Sequence, residues 1–343
     1  MTGELERFRR LLAELGDHLR DTVVAARMVA APGSLTGVVD EVDADVIYGI
    51  DRIGDEAVLG WFDDRWPADE PVRLVMEGID DHRSVTFPAG VEPQDLAWTC
   101  LIDPIDGTRN LMFDKRSAWV LAALAPGAGP HLTLDDLVVG AMTEIPVVKQ
   151  WRADQISGIR HCDLVSSGLD VRTGRRITLH DRPTTSTELT HGFASFAHAF
   201  PDAKAFLARL DQDLWEALIP AGPRGRAVFE DQYVCSAGQL HEVLTGRDRL
   251  VGDLRPLAYA QLGLEGPPVC HPYDVCTGFL LAEAGGVFED PWGGPVRAPL
   301  DTTSAVLWIA YANPRLAAIV RPALVEVLAH HIDPTILGAF GAP

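Results

Sequence analysis

The chain has 343 residues, 47% of them apolar and 23% charged, enough to bury one large core or two adjoining ones. Its formal charge of −20 speaks against nucleic-acid and anionic-membrane partners, which need an electropositive surface. A phosphate-bearing substrate then requires local positive charge, and bound divalent cations supply it where side chains do not.

From Phe8 through Leu11, Leu12, Leu15, Leu19 and Val23, apolar residues recur at the spacing of one helical face, and Pro32 and Gly33 close that helix. A second helix is predicted from Val42 to Phe62, with Val46, Ile47, Ile50, Ile53, Ala57, Val58, Trp61 and Phe62 inward and Asp51 on its polar side. Short β-rich runs follow at Val72 to Met76, Leu96 to Ile105, Ser117 to Leu124 and Leu137 to Val148. Polar and turn residues from Ser166 to Thr190 mark an internal boundary. They divide an N-terminal α+β half, residues 1–185, from a C-terminal α/β half, residues 186–343.

Beyond the boundary, Phe206, Leu207, Leu210, Leu214 and Leu218 restore helical spacing, and a further helix is read near Gln239 to Leu244. Asp274 to Ala284 reads as a helix stopped by Gly285 and Gly286, before strands at Val287 to Glu289 and Ala305 to Ala312. A last helix starts at Pro314. The five cysteines form no C-x-x-C pair, and Met1 to Ala30 interrupts its apolar positions with charge, unlike a secretory leader. The expectation is a cytoplasmic protein.

Chemistry concentrates in Leu101-Ile102-Asp103-Pro104-Ile105-Asp106-Gly107-Thr108-Arg109-Asn110, where a hydrophobic strand runs into two aspartates and a Gly-Thr turn. Pro104 cannot donate to a sheet ladder, so the strand is expected to end there with both carboxylates swung toward one point. Two ionised carboxylates so close repel, and a divalent cation removes the conflict. Magnesium takes hard oxygen donors, which Asp103, Asp106 and the Ile105 carbonyl provide. Gly107 and Thr108 then open a short helix, a place for phosphate. Alone, Asp-x-x-Asp-Gly-Thr is also an ordinary capped turn.

The run from Asp103 to Asn110 resembles the central motif of the inositol monophosphatase family. Tyr273-Asp274-Val275, leading through Gly278 to Glu283-Ala284-Gly285-Gly286-Val287, resembles that family's C-terminal motif. The resemblance implies a layered αβαβα sandwich: N-terminal helices on a largely antiparallel sheet, then a C-terminal mixed sheet between helices. It implies metal ligation by Glu77, Asp103, the Ile105 carbonyl, Asp106 and Asp274, phosphate binding by Gly107 and Thr108, and activation of water by Asp51 with Thr108. It also implies two or three Mg2+ ions per site, inhibition by lithium, and a homodimer.

Taken singly, Asp274 after Pro272 is also a good helix N-cap, and Asp43, Asp45 and Asp55 compete with Asp51 for its role. The chain departs from the pattern at Gly78, where the family has a second acid after Glu77. It departs again around Tyr233-Val234-Cys235-Ser236-Ala237, and at Pro267, where inositol-specific members carry a Glu. The stretch from Gly246 to His271, with Arg247, Asp248, Arg249, Asp253 and Arg255, reads as an added surface loop with internal ion pairs, or as a substrate contact. The expected activity is hydrolysis of a small phosphate monoester of the inositol or sugar class. The alternatives are a 3′,5′-nucleotide bisphosphate or fructose bisphosphate phosphatase and, in another class, a non-catalytic protein that binds metal or a phosphorylated metabolite.

Overall fold

A computed structural model describes residues 2–29, 38–41, 46–79, 85–222 and 225–342. Helix α1 (Thr2–Val29) forms where the apolar spacing predicts it, and Phe8, Leu12, Leu15, Leu19 and Val23 are fully buried. The Pro32-Gly33 stop and residues 42–45 lie outside the described residues. Strands β1 (Val38–Glu41) and β2 (Val46–Tyr48) form an antiparallel pair ahead of α2 (Gly49–Arg65). The second helix therefore does not start at Val42. Val46, Ile47 and Tyr48 are strong β-formers, and their extended preference wins over the helical spacing they share with α2.

The main sheet comprises β3 (Val72–Met76), β4 (Val85–Phe87), β5 (Trp98–Asp106), β6 (Ala118–Pro126), β7 (Val139–Ile145), β8 (Arg152–Ile159), β9 (Val165–Asp170) and β10 (Arg176–Thr178), with α3 (Thr108–Met112) between β5 and β6. Its order is β10-β9-β8-β7-β6-β5-β3-β4, antiparallel except for the parallel pair β3–β5. The stretch read as a boundary from Ser166 thus contributes to the edge strand β10 and its neighbour β9, and Ser166, Ser167 and Gly168 pair with β8.

The second sheet comprises β11 (Phe193–Phe196), β12 (Asp248–Asp253), β13 (Val287–Glu289) and β14 (Trp308–Tyr311) in the order β11-β12-β14-β13. It is mixed, with β11 and β12 parallel and the other pairs antiparallel. Helices α4 (Lys204–Leu218), α5 (Ser236–Leu244), α6 (Arg255–Leu262), α7 (Phe279–Glu283), α8 (Pro314–His331) and α9 (Pro334–Ala339) complete the chain. Among the described residues no helix is long and apolar enough to cross a membrane.

The layering follows from alternation along the strands. On β6, Val120, Ala122 and Leu124 pack with α1 and α2, whereas Trp119, Leu121 and Ala123 face α5 and α7. On β14, Trp308 and Ala310 face that same α5/α7 layer, and Ile309 and Tyr311 meet α4 and α8 on the far side. Both sheets are covered on two faces, so central strands such as β6 and β14 read as continuous apolar runs. The result is the five-layer αβαβα arrangement.

Two further expectations change. The Gly246–His271 stretch is not a surface loop: β12 lies at the heart of the second sheet, and Asp253 and Arg255 are buried together. Nor is Asp274–Ala284 one α-helix. Gly278 N–H bonds Val275 O, Leu280 N–H bonds Thr277 O and Leu281 N–H bonds Gly278 O, all i→i+3. The segment is a 3-10 turn (Tyr273–Val275) followed by the short α7. Gly278 weakens the helix and admits the Phe288 ring, which any side chain there would strike.

Candidate active site

Residues three apart on a regular strand point to opposite faces. Asp103 and Asp106 escape this because β5 is bulged between them: Asp103 stands opposite Leu121 and Asp106 opposite Trp119, so three steps on one strand match two on the other. Pro104 and Ile105 occupy the bulge. The strand does not end at Pro104; it bends through the proline and continues to Asp106.

The parallel pairing of β3 with β5 reaches Met76 opposite Ile102, which puts Glu77 one step on, beside Asp103 at the carboxyl ends of both strands. Asp274 arrives from the second half in the 3-10 turn, its Oδ2 accepting His271 N–H at 2.6 Å. It is not that turn's N-cap, a position held by Pro272. Asp103, Asp106 and Asp274 each bring one oxygen to within 4.8 Å of the others. Glu77 lines the same cleft, of about 140 Å³, with Asp51, Ile105, Gly107, Thr108 and Arg109.

The electrostatic state of the trio follows from its burial. Asp103 is held well above the ordinary carboxylate range by desolvation, then by the charges of Asp106 and Asp274. Its Oδ1 accepts Ile105 N–H at 2.9 Å, which opposes the rise only in part. Asp106 is pushed up to about 7 by desolvation and then by Asp274. Ala237 N–H at 2.6 Å and the Cys235 thiol at 3.3 Å donate to its Oδ2. Asp103 and Asp106, buried beside a third carboxylate, thus resist ionising unless positive charge joins them.

Helix α2 supplies Asp51. Gly54, one turn on, faces Pro104 and Ile105 so closely that a Cβ there would lie 3.1 Å from Pro104 Cβ. This contact brings Asp51 Oδ1 to 2.8 Å from Thr108 Oγ1, itself 2.8 Å from the Ile105 carbonyl oxygen. Asp51, not Asp55, therefore meets the threonine. Asp55 packs against Gly78, whose φ of +79° and lack of side chain admit its carboxylate. Burial, then Asp51 and Glu56, raises Asp55 to about 7, so it does not belong to a solvated face.

Gly107 has φ +90°, and a Cβ on it would lie 3.0 Å from Cys235 Cβ, so packing against Cys235 is one reason for glycine there. Asn110 fixes the same junction by donating to Val234 O at 2.7 Å.

Residues 232–236 and Gln239 also line the cleft, as do Pro268 and Val269. One contribution escaped the sequence reading: Ala237 acts through a backbone N–H, which leaves no side-chain signature. Arg255, named from sequence as a loop residue or a substrate contact, reaches the cleft wall while its guanidinium binds Asp253 at 2.5–3.0 Å and Pro268 O at 2.9 Å.

No protein-family model and no curated protein matches the chain. Solved structures do. Fructose-1,6-bisphosphatase from Leishmania major aligns with a TM-score of 0.65 at 13% identity over 92% of this chain and 93% of that one. Extragenic suppressor protein suhB from Bartonella henselae gives 0.62 at 16%, over 92% and 97%. Inositol monophosphatase from Anabaena gives 0.58 at 15%, over 98% and 99%. The chain has the fold these proteins share.

Proposed function

We propose that this chain is a magnesium-dependent phosphatase acting on small phosphate monoesters of the inositol or sugar class. The observation that carries the proposal is the meeting of Asp103, Asp106 and Asp274 within 4.8 Å, beside a threonine bonded to a carboxylate. The names of the structures sharing the fold, inositol monophosphatase and fructose-1,6-bisphosphatase, agree with it. The resemblance adds lithium inhibition and a homodimer to the reading, and the cysteine pattern adds a cytoplasmic location.

The donor set fits magnesium: hard carboxylate oxygens and one carbonyl, two of the carboxyls, Asp103 and Asp106, being held neutral by burial and by their acidic neighbours. Glu77, Asp103, Asp106, Asp274 and the Ile105 carbonyl would hold it. Bound there, magnesium offsets the negative charge of the phosphate and lowers the pKa of water at the site.

The protein's own groups do the rest. The Thr108 hydroxyl has one hydrogen and two acceptors in reach. When that hydrogen goes to Asp51, the Thr108 oxygen offers a lone pair to a water, and the Ile105 carbonyl is released to serve as a ligand. The water proton passes to Thr108 Oγ1 as the threonine proton passes to Asp51. A water-oxygen-to-phosphorus bond forms, the ester P–O bond breaks, and the departing alcohol is protonated from solvent. The Gly107–Thr108 turn is assigned to the phosphate.

Inorganic phosphate release from a panel of inositol, sugar and nucleotide monoesters tests the reading. Release in magnesium and none in chelator is expected, and Asp103→Asn is expected to lower it by about 10²-fold or more with the circular dichroism spectrum unchanged. Magnesium-dependent turnover near the wild-type rate in Asp103→Asn would refute the assignment.

A further inference from the structure

A second convergence of metal-binding side chains lies just behind the cleft wall. Ala197 and Ala199 line the catalytic cleft, whereas His198 between them lines a separate cavity of about 370 Å³ together with Asp211 and Trp215 of α4 and with Glu230. His198 Nε2 stands 3.3 Å from Asp211 Oδ2 and 3.4 Å from Glu230 Oε2. The three residues offer donor atoms that all fall within 4.8 Å of one another.

Hydrogen bonding alone does not satisfy this cluster. His198 Nδ1 is buried without a hydrogen-bond partner, and Asp211 Oδ2, equally buried, has only the ion-pair contact with His198 and no well-directed hydrogen bond. Gln232 is held by His198 N–H on its Oε1 at 2.9 Å and by its own Nε2–H on Phe196 O at 2.9 Å, and this turns its amide nitrogen toward His198 Nε2 at 3.2 Å. If the ring hydrogen is on Nε2, it faces the two carboxylates as well as the Gln232 amide donor, and the Nδ1 lone pair is left without a donor. If it is on Nδ1, the Nε2 lone pair faces two carboxylates. A doubly protonated ring satisfies both carboxylates, which hold His198 up at about 9, so a proton-bridged triad is the competing state.

We propose that His198, Asp211 and Glu230 form a binding site for a divalent transition-metal ion of the zinc class, distinct from the carboxylate trio. Donors arranged tetrahedrally around zinc at bonds of about 2.0–2.1 Å lie ~3.3 Å apart, the spacing found between the histidine nitrogen and each carboxylate. One imidazole with two carboxylates suits zinc over magnesium. The cavity leaves room for a fourth ligand. The ion would tie α4 to the 197–200 segment that walls the cleft. This inference stands apart from the phosphatase reading.

The test uses the full chain carrying Asp103→Asn, which disables the carboxylate trio, stripped with chelator, then dialysed against zinc and analysed by elemental mass spectrometry. About one equivalent of zinc is expected, together with the visible absorption of tetrahedral cobalt after exchange. Adding His198→Gln, or Glu230→Gln at a solvent-reaching position where the fold is not at stake, is expected to remove both signals. Substoichiometric zinc in the parent, or full zinc retained in either added variant, overturns the site. So does a heat stability of the parent that zinc leaves unchanged, the outcome expected of a triad bridged only by a proton.

Discussion

Replacing Asp106 with asparagine is expected to strengthen the cation-free fold while abolishing turnover. The fold lifts this carboxyl from the ordinary 3.8 to about 7, chiefly by burial. Each unit of that shift corresponds to about 1.4 kcal/mol, so the ionised group costs the fold about 4 kcal/mol. Asparagine keeps an oxygen for Ala237 N–H but loses the charge assistance, a loss of about 1–2 kcal/mol. The remaining gain of about 2–3 kcal/mol, spread over an unfolding entropy of about 2.1 cal/mol/K per residue, raises Tm by about 3–4 °C. The sign depends on pH. Below about pH 4 both folded and unfolded chains hold the proton and the variant gains nothing; the gain grows as the unfolded chain ionises and is complete above about pH 7. Thermal unfolding followed by circular dichroism in chelator, at pH 4 and pH 8.5, reads this directly. A Tm below wild type at pH 8.5 would refute the reasoning, because the carboxylate would then be stabilising without a cation.

Three other outcomes follow from the same geometry. Gly54→Leu fills the contact between α2 and Pro104, so it is expected to part Asp51 from Thr108 and lower kcat by about tenfold or more with little change in magnesium affinity; unchanged kcat would disconnect α2 from the chemistry. Arg255→Met leaves Asp253, 1% exposed, without its guanidinium and is expected to cost about 3–5 kcal/mol in urea unfolding; a cost under about 1 kcal/mol would contradict the buried pair. Magnesium affinity measured by calorimetry is expected to weaken as pH falls below about 7, roughly tenfold per unit for the proton on Asp106; a flat profile from pH 5 to 8 would remove the carboxyl from the ligand set.

Much of this architecture was legible because burial on both faces leaves a plain trace. The Val72–Met76 and Val287–Glu289 strands lie where the apolar runs placed them, and the Phe8–Val23 stripe is the buried face of α1. Charge hid β12, whose Asp248 and Asp253 read as loop residues. Each is buried, and Asp253 is satisfied by Arg255 two residues away, so the ion pair expected at the surface lies inside the fold. In the site, the spacing of Asp103 and Asp106 pointed to their meeting but not to how it happens. A proline was read as a terminus, whereas it shapes a bulge that turns two opposite-facing positions to one side. Asp51 Oδ1 and Thr108 Oγ1 lie 2.8 Å apart, a contact between residues distant in the chain. The backbone donor at Ala237 had no signature to read.

Sharing of one cation by acids distant along the chain is measured by equilibrium titration with Mn2+ followed by electron paramagnetic resonance. Wild-type protein is expected to bind manganese saturably and release it to magnesium, whereas Asp103→Asn, Asp106→Asn and Asp274→Asn each weaken binding by about tenfold or more. Undiminished manganese affinity in all three variants would contradict it.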